Sequence, residues 1–472
     1  MTLENSRSNG NMNDPSFSSL PLSEALLKNL DSLGYSSMTP IQAQSLPLML
    51  QGKDVIAQAK TGSGKTAAFG LALLHRLNVE KYAVQALVLC PTRELAEQVS
   101  QAIRQLARLI PNIKVLNLSG GMPMNPQLDS LRHGAHIIVG TPGRVQKHLD
   151  KATLLLDGLR ALVLDEADRM LDMGFYETID KIITLCPTER QTLLFSATYP
   201  AEIKKLASKF MHHPTRIIIE ENHTELDIEQ VFYKLNHPSN KFTLLKTLLL
   251  HHQPLSTLIF CNTKDQTAKL ATLLKKENFS AIALNGDMEQ FDRDVAIIQF
   301  KNQSCSILVA TDVAARGLDI KELPAVINYD LAFEHDVHIH RIGRTGRAGS
   351  KGLAISLAIP SDVERLHAIE DGLEHPLTFG DANELITKNN KMLLPEMATL
   401  CLSAGKKDKI RPGDILGALI KDAGLPVETI GKIDITPLYS YVAIKQNQVE
   451  NGYQYFMTGK LKNRRVNVKK VK

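Results

Sequence analysis

The sequence predicts an α/β protein: two units built on parallel sheets in tandem, followed by a small α+β unit. Three observations predict it. From Phe17 to about His212, short apolar runs bounded by turn residues alternate with helix-length amphipathic stretches. The runs are Asp54–Ala57, Ala86–Leu89, His136–Gly140, Ala161–Leu164 and Gln191–Phe195. Short strands that are apolar throughout, each followed by a helix, are what a sheet covered by helices on both faces requires. The same alternation restarts near Asp227 with Leu255–Asn262, Ser280–Leu284, Cys305–Ala310, Ala325–Tyr329 and Gly352–Ala358, without obvious sequence repetition. The pattern then changes: Met397–Leu402, Ile430–Ile435, Tyr439–Ile444 and Arg465–Val471 read as strands around two helices. The expected division is a disordered tail over 1–16, a first unit over 17–212 and a linker over 213–227 carrying Pro214 and the polar stretch Glu220–Glu225. A second unit over 228–370, a linker over 371–395 and a third unit over 396–472 complete it.

A chain of 472 residues has room for several domains. Its 43% apolar and 22% charged content is that of ordinary globular domains and excludes a wholly disordered chain. The longest apolar runs, such as Ala161–Leu164 and Thr257–Cys261, fall far short of the ~20 residues of a membrane span. The Asn/Ser-rich start, Met1 to Asp14, has no apolar stretch behind a positive one, so no secretory signal is expected. Cys90, Cys186, Cys261, Cys305 and Cys401 are scattered, with no C-x-x-C pair, and read as small buried residues of a reducing compartment. The expectation is a cytoplasmic protein with no membrane contact and no obligate protein partner. Net charge is +5, but from Met392 to Lys472 there are 14 Lys/Arg against 7 Asp/Glu. The positive balance lies entirely there, which marks that segment for a polyanionic partner.

The run Ala59-Lys60-Thr61-Gly62-Ser63-Gly64-Lys65-Thr66 lies between the strand Asp54–Ala57 and a helix expected over Ala67–Leu77. Glycines let the backbone turn its N–H groups onto a phosphate, and the helix N-terminus adds a positive dipole. Lys65 can reach outer phosphates and the Thr66 hydroxyl suits Mg²⁺. A Gly/Ser turn with no ligand is the other reading of this run alone. About a hundred residues on, the strand Leu162-Val163-Leu164 runs into Asp165-Glu166-Ala167-Asp168. A carboxylate at a strand's carboxyl end can stand beside such a loop, giving Asp165 a metal-side role, partly through water, and Glu166 the task of orienting and deprotonating a water. Alone, this tetrapeptide could be just an acidic helix start.

Further motifs stand in order along the chain: Phe17, Gly34-Tyr35, Thr39-Pro40-Ile41-Gln42, Pro91-Thr92-Arg93-Glu94-Leu95-Ala96, Gly120-Gly121, Thr141-Pro142-Gly143-Arg144 and Ser196-Ala197-Thr198. Ala310-Thr311-Asp312, Arg316-Gly317-Leu318-Asp319 and His340-Arg341-Ile342-Gly343-Arg344-Thr345-Gly346-Arg347 follow. Together with the two runs above, they resemble the DEAD-box RNA helicases over about Phe17 to Pro360. The family accepts Ala59 at its position, whereas Asn285, before Gly286-Asp287, stands where the family usually has His. The resemblance implies two RecA-like domains, ATP and Mg²⁺ as cofactors, and RNA as partner. It gives adenine recognition to Gln42, ring stacking to Tyr35, and support of that pocket to Phe17. Ser196 and Thr198 resemble the hydroxyl pair that bonds the Asp165–Asp168 turn. Asp319 resembles a ribose contact, His340 a member of the coupling network, and Arg344 and Arg347 the arginine fingers that complete the ATP site. RNA contacts fall to Pro91, Thr92, Arg93, Gly120, Gly121, Thr141, Pro142, Gly143 and Arg144, with Gln290, Arg293, Thr311 and Asp312 from the second unit. These types suit backbone and 2′-OH contacts, so the core is expected to be blind to sequence.

The run from Leu400 through Lys406-Lys407-Asp408-Lys409-Ile410-Arg411 to Ile415, with Ile430–Ile433 and Gly459–Val466, is similar to the C-terminal domain of the bacterial DbpA subgroup. That likeness implies an RRM-like domain that recognises a hairpin of 23S ribosomal RNA, hence local duplex unwinding during assembly of the large (50S) subunit, on pre-50S particles. Lys406, Lys407, Lys409, Arg411, Lys460, Lys462, Arg464 and Arg465 are the expected RNA contacts, with Tyr441 offering a ring for base stacking. A basic solvated tail is the plainer reading of the segment. A nucleotide-gated RNA clamp with little unwinding, or a DNA-directed ATPase, are the competing functions. The presence of Lys65, Glu166, Arg344 and Arg347 favours the hydrolase over the clamp, and the RNA-family motifs disfavour DNA.

Overall fold

Three sheets organise the chain in a computed structural model that describes residues 15–59, 62–121, 123–219, 228–315, 323–346, 351–373, 376–386, 394–462 and 464–471. The first sheet holds β1 (Val55–Gln58), β2 (Ala86–Leu89), β3 (Val115–Leu118), β4 (Ile137–Gly140), β5 (Ala161–Leu164), β6 (Gln191–Ser196) and β7 (Thr215–Ile218). Every pairing is parallel, in the order β3-β4-β2-β5-β6-β1-β7. Helices close both faces, so β2, β4, β5 and β6 are buried along their whole length. The helix Arg93–Leu106 shows how the sequence arranges this. It buries Ala96, Val99, Ser100, Ile103 and Leu106 at helical spacing, and the Thr92 hydroxyl caps its start by accepting from Leu95 N–H at 3.2 Å. Its last carbonyls, of Gln105 and Leu106, accept from the amide of buried Asn29, each at 2.8 Å.

The second sheet comprises β8 (Ile228–Lys234), β9 (Thr257–Phe260), β10 (Ala281–Leu284), β11 (Ile307–Ala310), β12 (Ala325–Asn328) and β13 (Gly352–Ala358), again all parallel, ordered β10-β11-β9-β12-β13-β8. The third is antiparallel: β14 (Met397–Leu402), β15 (Ile430–Ile435), β16 (Ser440–Lys445) and β17 (Val468–Lys470), ordered β15-β16-β14-β17. The helices Pro412–Gly417 and Val449–Thr458 cover one of its faces, around a core of Leu400, Leu402, Ile415, Leu419, Val442, Ile444 and Phe456. The chain divides into two compact units, the first carrying the first sheet and the second carrying the other two.

The expected strands are present with ends moved by at most three residues, and the helix expected over Ala67–Leu77 runs over Lys65–His75. Three strands were not anticipated. β3 carries a polar Asn117 in its middle, β7 exposes three of its four residues, and β8 borders the polar stretch assigned to the linker. The span assigned to the first linker in fact contains β7, paired with β1. The second linker is not loose either: Phe232 N–H donates to Thr378 O at 2.8 Å and Gly380 N–H to Phe232 O at 2.9 Å, so the segment lies along the open edge of β8. Of the tail expected over 1–16, residues 1–14 lie outside the described residues, while Pro15 O accepts from Met38 N–H and Ser16 caps the short helix Phe17–Ser19.

Candidate nucleotide and RNA sites

Parallel strands bring their carboxyl ends to one edge, and there the first unit collects its motifs. Ala59–Thr66 follows β1, Pro91–Arg93 follows β2 and Gly120-Gly121 follows β3. Thr141–Arg144 follows β4, Asp165–Asp168 follows β5 and Ala197-Thr198 follows β6. Gly62 and Gly64 hold φ of 93° and 95°, left-handed values that suit glycine. A Cβ on Gly64 would stand 2.5 Å from Gln42 Nε2 and 3.0 Å from Thr39 Oγ1. The loop is braced from that side. Thr39 Oγ1 donates to Ser63 O at 2.7 Å, and Gln42 donates to Gly64 O at 3.1 Å while its Oε1 accepts from Thr39 N–H at 2.9 Å. Each of the amide's two ends retains one further bonding direction. Tyr35 is half-buried, with its ring edge-on to buried Phe17 at 6.0 Å. Lys60 and Thr61 lie outside the described residues.

Buried Lys65 donates to Ala59 O at 2.7 Å and is close enough to Asp165 to act on its ionisation. Asp165 is 3% exposed, and burial pushes its carboxyl up to about 7 although Lys65 pulls the other way. Burial also raises the Cys90 thiol, with the charges of Asp165 and Glu166 adding to it, so Cys90 is inert packing. Glu166 adopts φ 53°, ψ 52°, a left-handed conformation for a non-glycine residue, and its carboxylate pairs with Arg169 at 3.0 Å. Such strain is kept where a fixed geometry is needed. Asp165, Glu166 and Asp168 share this buried pocket with Lys65 and Arg169, an excess of carboxylate that a bound divalent cation would balance. Among the described residues no three His, Cys, Asp or Glu side chains converge to hold a metal alone. A Mg²⁺ ion here would therefore take phosphate and water oxygens beside Asp165 and Thr66.

Asp168 is the hinge of this edge. One oxygen accepts from Ala197 N–H at 3.0 Å, Thr198 N–H at 2.9 Å and Thr198 Oγ1 at 3.1 Å, and the other from Arg169 N–H at 3.0 Å. Burial opposes its ionisation, but these bonds and Arg169 outweigh burial and hold its carboxyl below the usual value. The Ser196 hydroxyl, expected to share in this, is buried without a hydrogen-bond partner; backbone N–H groups take its place.

Along the same edge, Gly120 lies against the Arg93 guanidinium, which a Cβ would meet at 3.0 Å. Arg144 donates to Gln127 Oε1 at 2.7 Å, and its charge is disfavoured first by burial and then by Arg93. Arg93 and Gly121 are exposed, Thr141, Gly143 and Arg144 half-buried, and Pro91, Thr92 and Pro142 buried.

The second unit repeats the principle. Arg341, 1% exposed, ties together the loops that leave β9, β11 and β12. It donates to both Asp312 oxygens at 2.7 Å, to Asn262 Oδ1 at 2.8 Å, to Asp330 O at 2.6 Å and to Asn328 Oδ1 at 3.3 Å. Buried Lys241 completes the network through Asp330 Oδ1 at 3.0 Å. Asp312, expected to contact RNA, thus spends its carboxylate on Arg341. Neither Arg341 nor Lys241 stands out as a site residue in the sequence, although Arg341 lies inside the run His340–Arg347. Gln290 donates to Asp294 at 2.9 Å, Arg293 donates to Asn285 O at 3.0 Å, and the Thr311 hydroxyl accepts from Ala314 N–H at 3.4 Å. Asn285 accepts from Asp287 N–H at 3.1 Å, so the amide holds the turn where the family usually has His. Arg344 is 8% exposed and His340 half-buried. Asp319 and Arg347 lie outside the described residues.

In the C-terminal unit the expected cations gather on two adjoining loops. Lys406, Lys407, Lys409, Arg411, Lys460, Lys462, Arg464 and Arg465 are all exposed. Lys462 donates to Lys409 O at 2.8 Å and pairs with Asp414 at 3.1 Å, while Arg464 pairs with Asp408 at 3.3 Å. The stacking role expected of Tyr441 is overturned. It is 1% exposed, because the sheet face bearing Thr399, Cys401 and Tyr441 packs against the second sheet unit. There Ser304 Oγ lies 2.7 Å from Thr399 Oγ1, Asn302 donates to the same hydroxyl at 3.4 Å, and Asp294 is near enough to push the Tyr441 phenol further up after burial and Cys401.

Comparison with known proteins agrees with this division. Residues 39–206 match the DEAD/DEAH box helicase model, 240–349 the helicase conserved C-terminal domain and 399–470 the DbpA RNA binding domain. The chain is 50% identical over 453 residues to the ATP-dependent RNA helicase DbpA of Escherichia coli (strain K12), covering 96% of this chain and 98% of that one. It is 43% identical over 354 residues to the DEAD-box ATP-dependent RNA helicase CshA of Geobacillus kaustophilus (strain HTA426), covering 75% and 76%. Among solved structures it is similar to S. cerevisiae Dbp5 bound to RNA and ADP BeF3, with a TM-score of 0.71 at 32% identity over 78% of this chain and 96% of that one. With the phosphate loop, the acidic turn and the second-unit network all in place, the chain belongs to the DEAD-box family of ATP-dependent RNA helicases.

Proposed function

We propose that this helicase uses its C-terminal unit to act on 23S ribosomal RNA in the cytoplasm, opening short duplexes during assembly of the large ribosomal subunit on pre-50S particles. The observation that carries this reading is the pair of exposed cationic loops, Lys406–Arg411 and Lys460–Arg465, fixed to one another by Lys462 and by the Arg464–Asp408 pair. Preset charge in a rigid frame suits a folded RNA element more than an arbitrary strand. The match to the DbpA RNA binding domain supports RNA as the ligand of that unit.

In this reading the first unit binds ATP through Ala59–Thr66, with Gln42 and Tyr35 at the adenine, and Mg²⁺ supplies charge neutralisation at the outer phosphates. Glu166 orients the attacking water and takes its proton, its carboxylate held by Arg169 and by its own constrained backbone. Arg344 and Arg347 complete the site as charge-stabilising groups, and Asp319 takes the ribose. Asp168, bonded to Thr198, transmits the state of the phosphate loop toward Pro91–Arg93, Gly120-Gly121 and Thr141–Arg144, where RNA lies.

Comparing ATPase stimulation by bulk ribosomal RNA, by 23S fragments that carry single hairpins and by unrelated RNA of equal length tests the proposal. One class of fragment is expected to match bulk ribosomal RNA, and equal stimulation by all three would overturn ribosomal targeting. Glu166→Gln is expected to retain ATP and RNA binding while turnover falls about 10²–10⁴-fold. Turnover near the parent value would remove Glu166 from its role.

A further inference from the structure

An aromatic pair at the junction of the second sheet unit and the C-terminal unit has no part in the roles above. Phe291, on the helix Gln290–Lys301, is 51% exposed, and its ring lies 5.4 Å from that of Tyr439 at an interplanar angle of 59°. Leu438, next along, is 53% exposed. The junction does not depend on them for its seal, since Thr399, Ser304, Asn302 and buried Tyr441 form it. A half-exposed apolar surface of this kind is a place for a ligand to rest.

Its surroundings say which ligand. On one side, Gln290 and Arg293, both assigned to the RNA strand, flank Phe291 on its own helix. On the other, the turn Thr436–Tyr439 seats the cationic loop: Lys406 N–H donates to Thr436 O at 2.9 Å and Lys407 N–H to Pro437 O at 3.1 Å. A Cβ on Gly405 would come within 2.5 Å of Thr436 O, so loop and turn are in close contact. The platform thus stands between two surfaces that take RNA. Exposed Glu289 and Asp292 beside Phe291 repel a phosphate but accept hydrogen bonds from the amino groups of a base. Aromatic faces stack any base, whatever the sequence.

We propose that Phe291, with Tyr439 and Leu438, is a stacking platform for an unpaired RNA base between the strand held at Gln290 and Arg293 and the element gripped by Lys406, Lys407 and Lys409. The platform rests on the RNA-binding reading of both surfaces. It joins the recognition unit to the helicase core through the RNA itself.

The chain contains no tryptophan, so Phe291→Trp places a single tryptophan at the platform, which can be excited selectively over tyrosine. Two fluorescently labelled probes are compared on the full chain: an RNA hairpin with a short single-stranded extension, and the same hairpin without it. Binding is read by anisotropy and stacking by quenching of the tryptophan. Both probes are expected to bind, with quenching by the extended hairpin alone. Phe291→Ala is expected to weaken the extended hairpin about tenfold and leave the blunt one unchanged, with Phe291→Tyr restoring affinity. Normal binding of both probes without differential quenching, or equal weakening of both by Phe291→Ala, overturns the platform and leaves the pair as packing. If neither hairpin binds the parent chain, the RNA reading of the C-terminal unit fails first, and the platform falls with it.

Discussion

Single residues in this protein matter through what they hold in place. Gly64 joins a left-handed backbone to a helix start while Thr39 and Gln42 press on its one free side. Gly64→Ala is therefore expected to cost about 1–3 kcal/mol of strain and displacement in the phosphate loop. Nucleotide affinity should drop roughly tenfold or more with RNA binding to the C-terminal unit unchanged, as a fluorescent nucleotide titration would read. Arg341 is the counterpart in the second unit. Arg341→Ala strips partners from half-buried Asp312 and Asn262 and from buried Asn328, and is expected to destabilise that unit by about 2–4 kcal/mol in denaturant unfolding. Arg341→Lys should recover little of this, because an ammonium cannot span two carboxylate oxygens and a backbone carbonyl in one plane. A Lys variant as stable as the parent would show that charge alone suffices there.

At the scale of elements, the central strands were readable because β2, β4, β5 and β6 are apolar along their whole length, as strands covered on both faces must be. β7 and β8 escaped because edge strands answer to one neighbour and to water, so their side chains carry no continuous apolar signal. The phosphate loop and acidic turn were legible as motifs, whereas the hub at Arg341 was not. A buried arginine is identified by its acceptors, and those come from loops scattered between Asn262 and Asp330. Tyr441 failed for a related reason: alternation along β16 separates the two faces of a strand without saying what covers the second. From that covering an element-scale prediction follows. Removing 394–472 uncovers the polar groups Asn302, Ser304 and Asp294 on the second sheet unit, together with Phe291. The shortened chain is expected to fold and to hydrolyse ATP with RNA of any sequence. Retained preference for one ribosomal hairpin would place recognition elsewhere.

For the molecule as a whole, charge is divided unevenly: the unit that matches the DbpA RNA binding domain is basic, and the remainder carries a slightly acidic balance. RNA affinity should then fall steeply with salt, and the logarithmic slope should lessen by about 0.7–0.9 for each phosphate-gripping cation among Lys406, Lys407 and Arg465 that is replaced by Gln. Slopes unchanged by all three substitutions would mean that these cations grip no phosphates. The covered sheet face carries one more consequence, for exchange of parts. Thr399 bonds to Asn302 and Ser304, and buried Tyr441 lies near Asp294, so the C-terminal unit and the second sheet unit form a matched pair and not a cassette. Grafted onto another helicase core, the unit would keep its cationic loops but present an unmatched tyrosine-bearing face, and chimaeras would succeed only when both sides of that seam travel together.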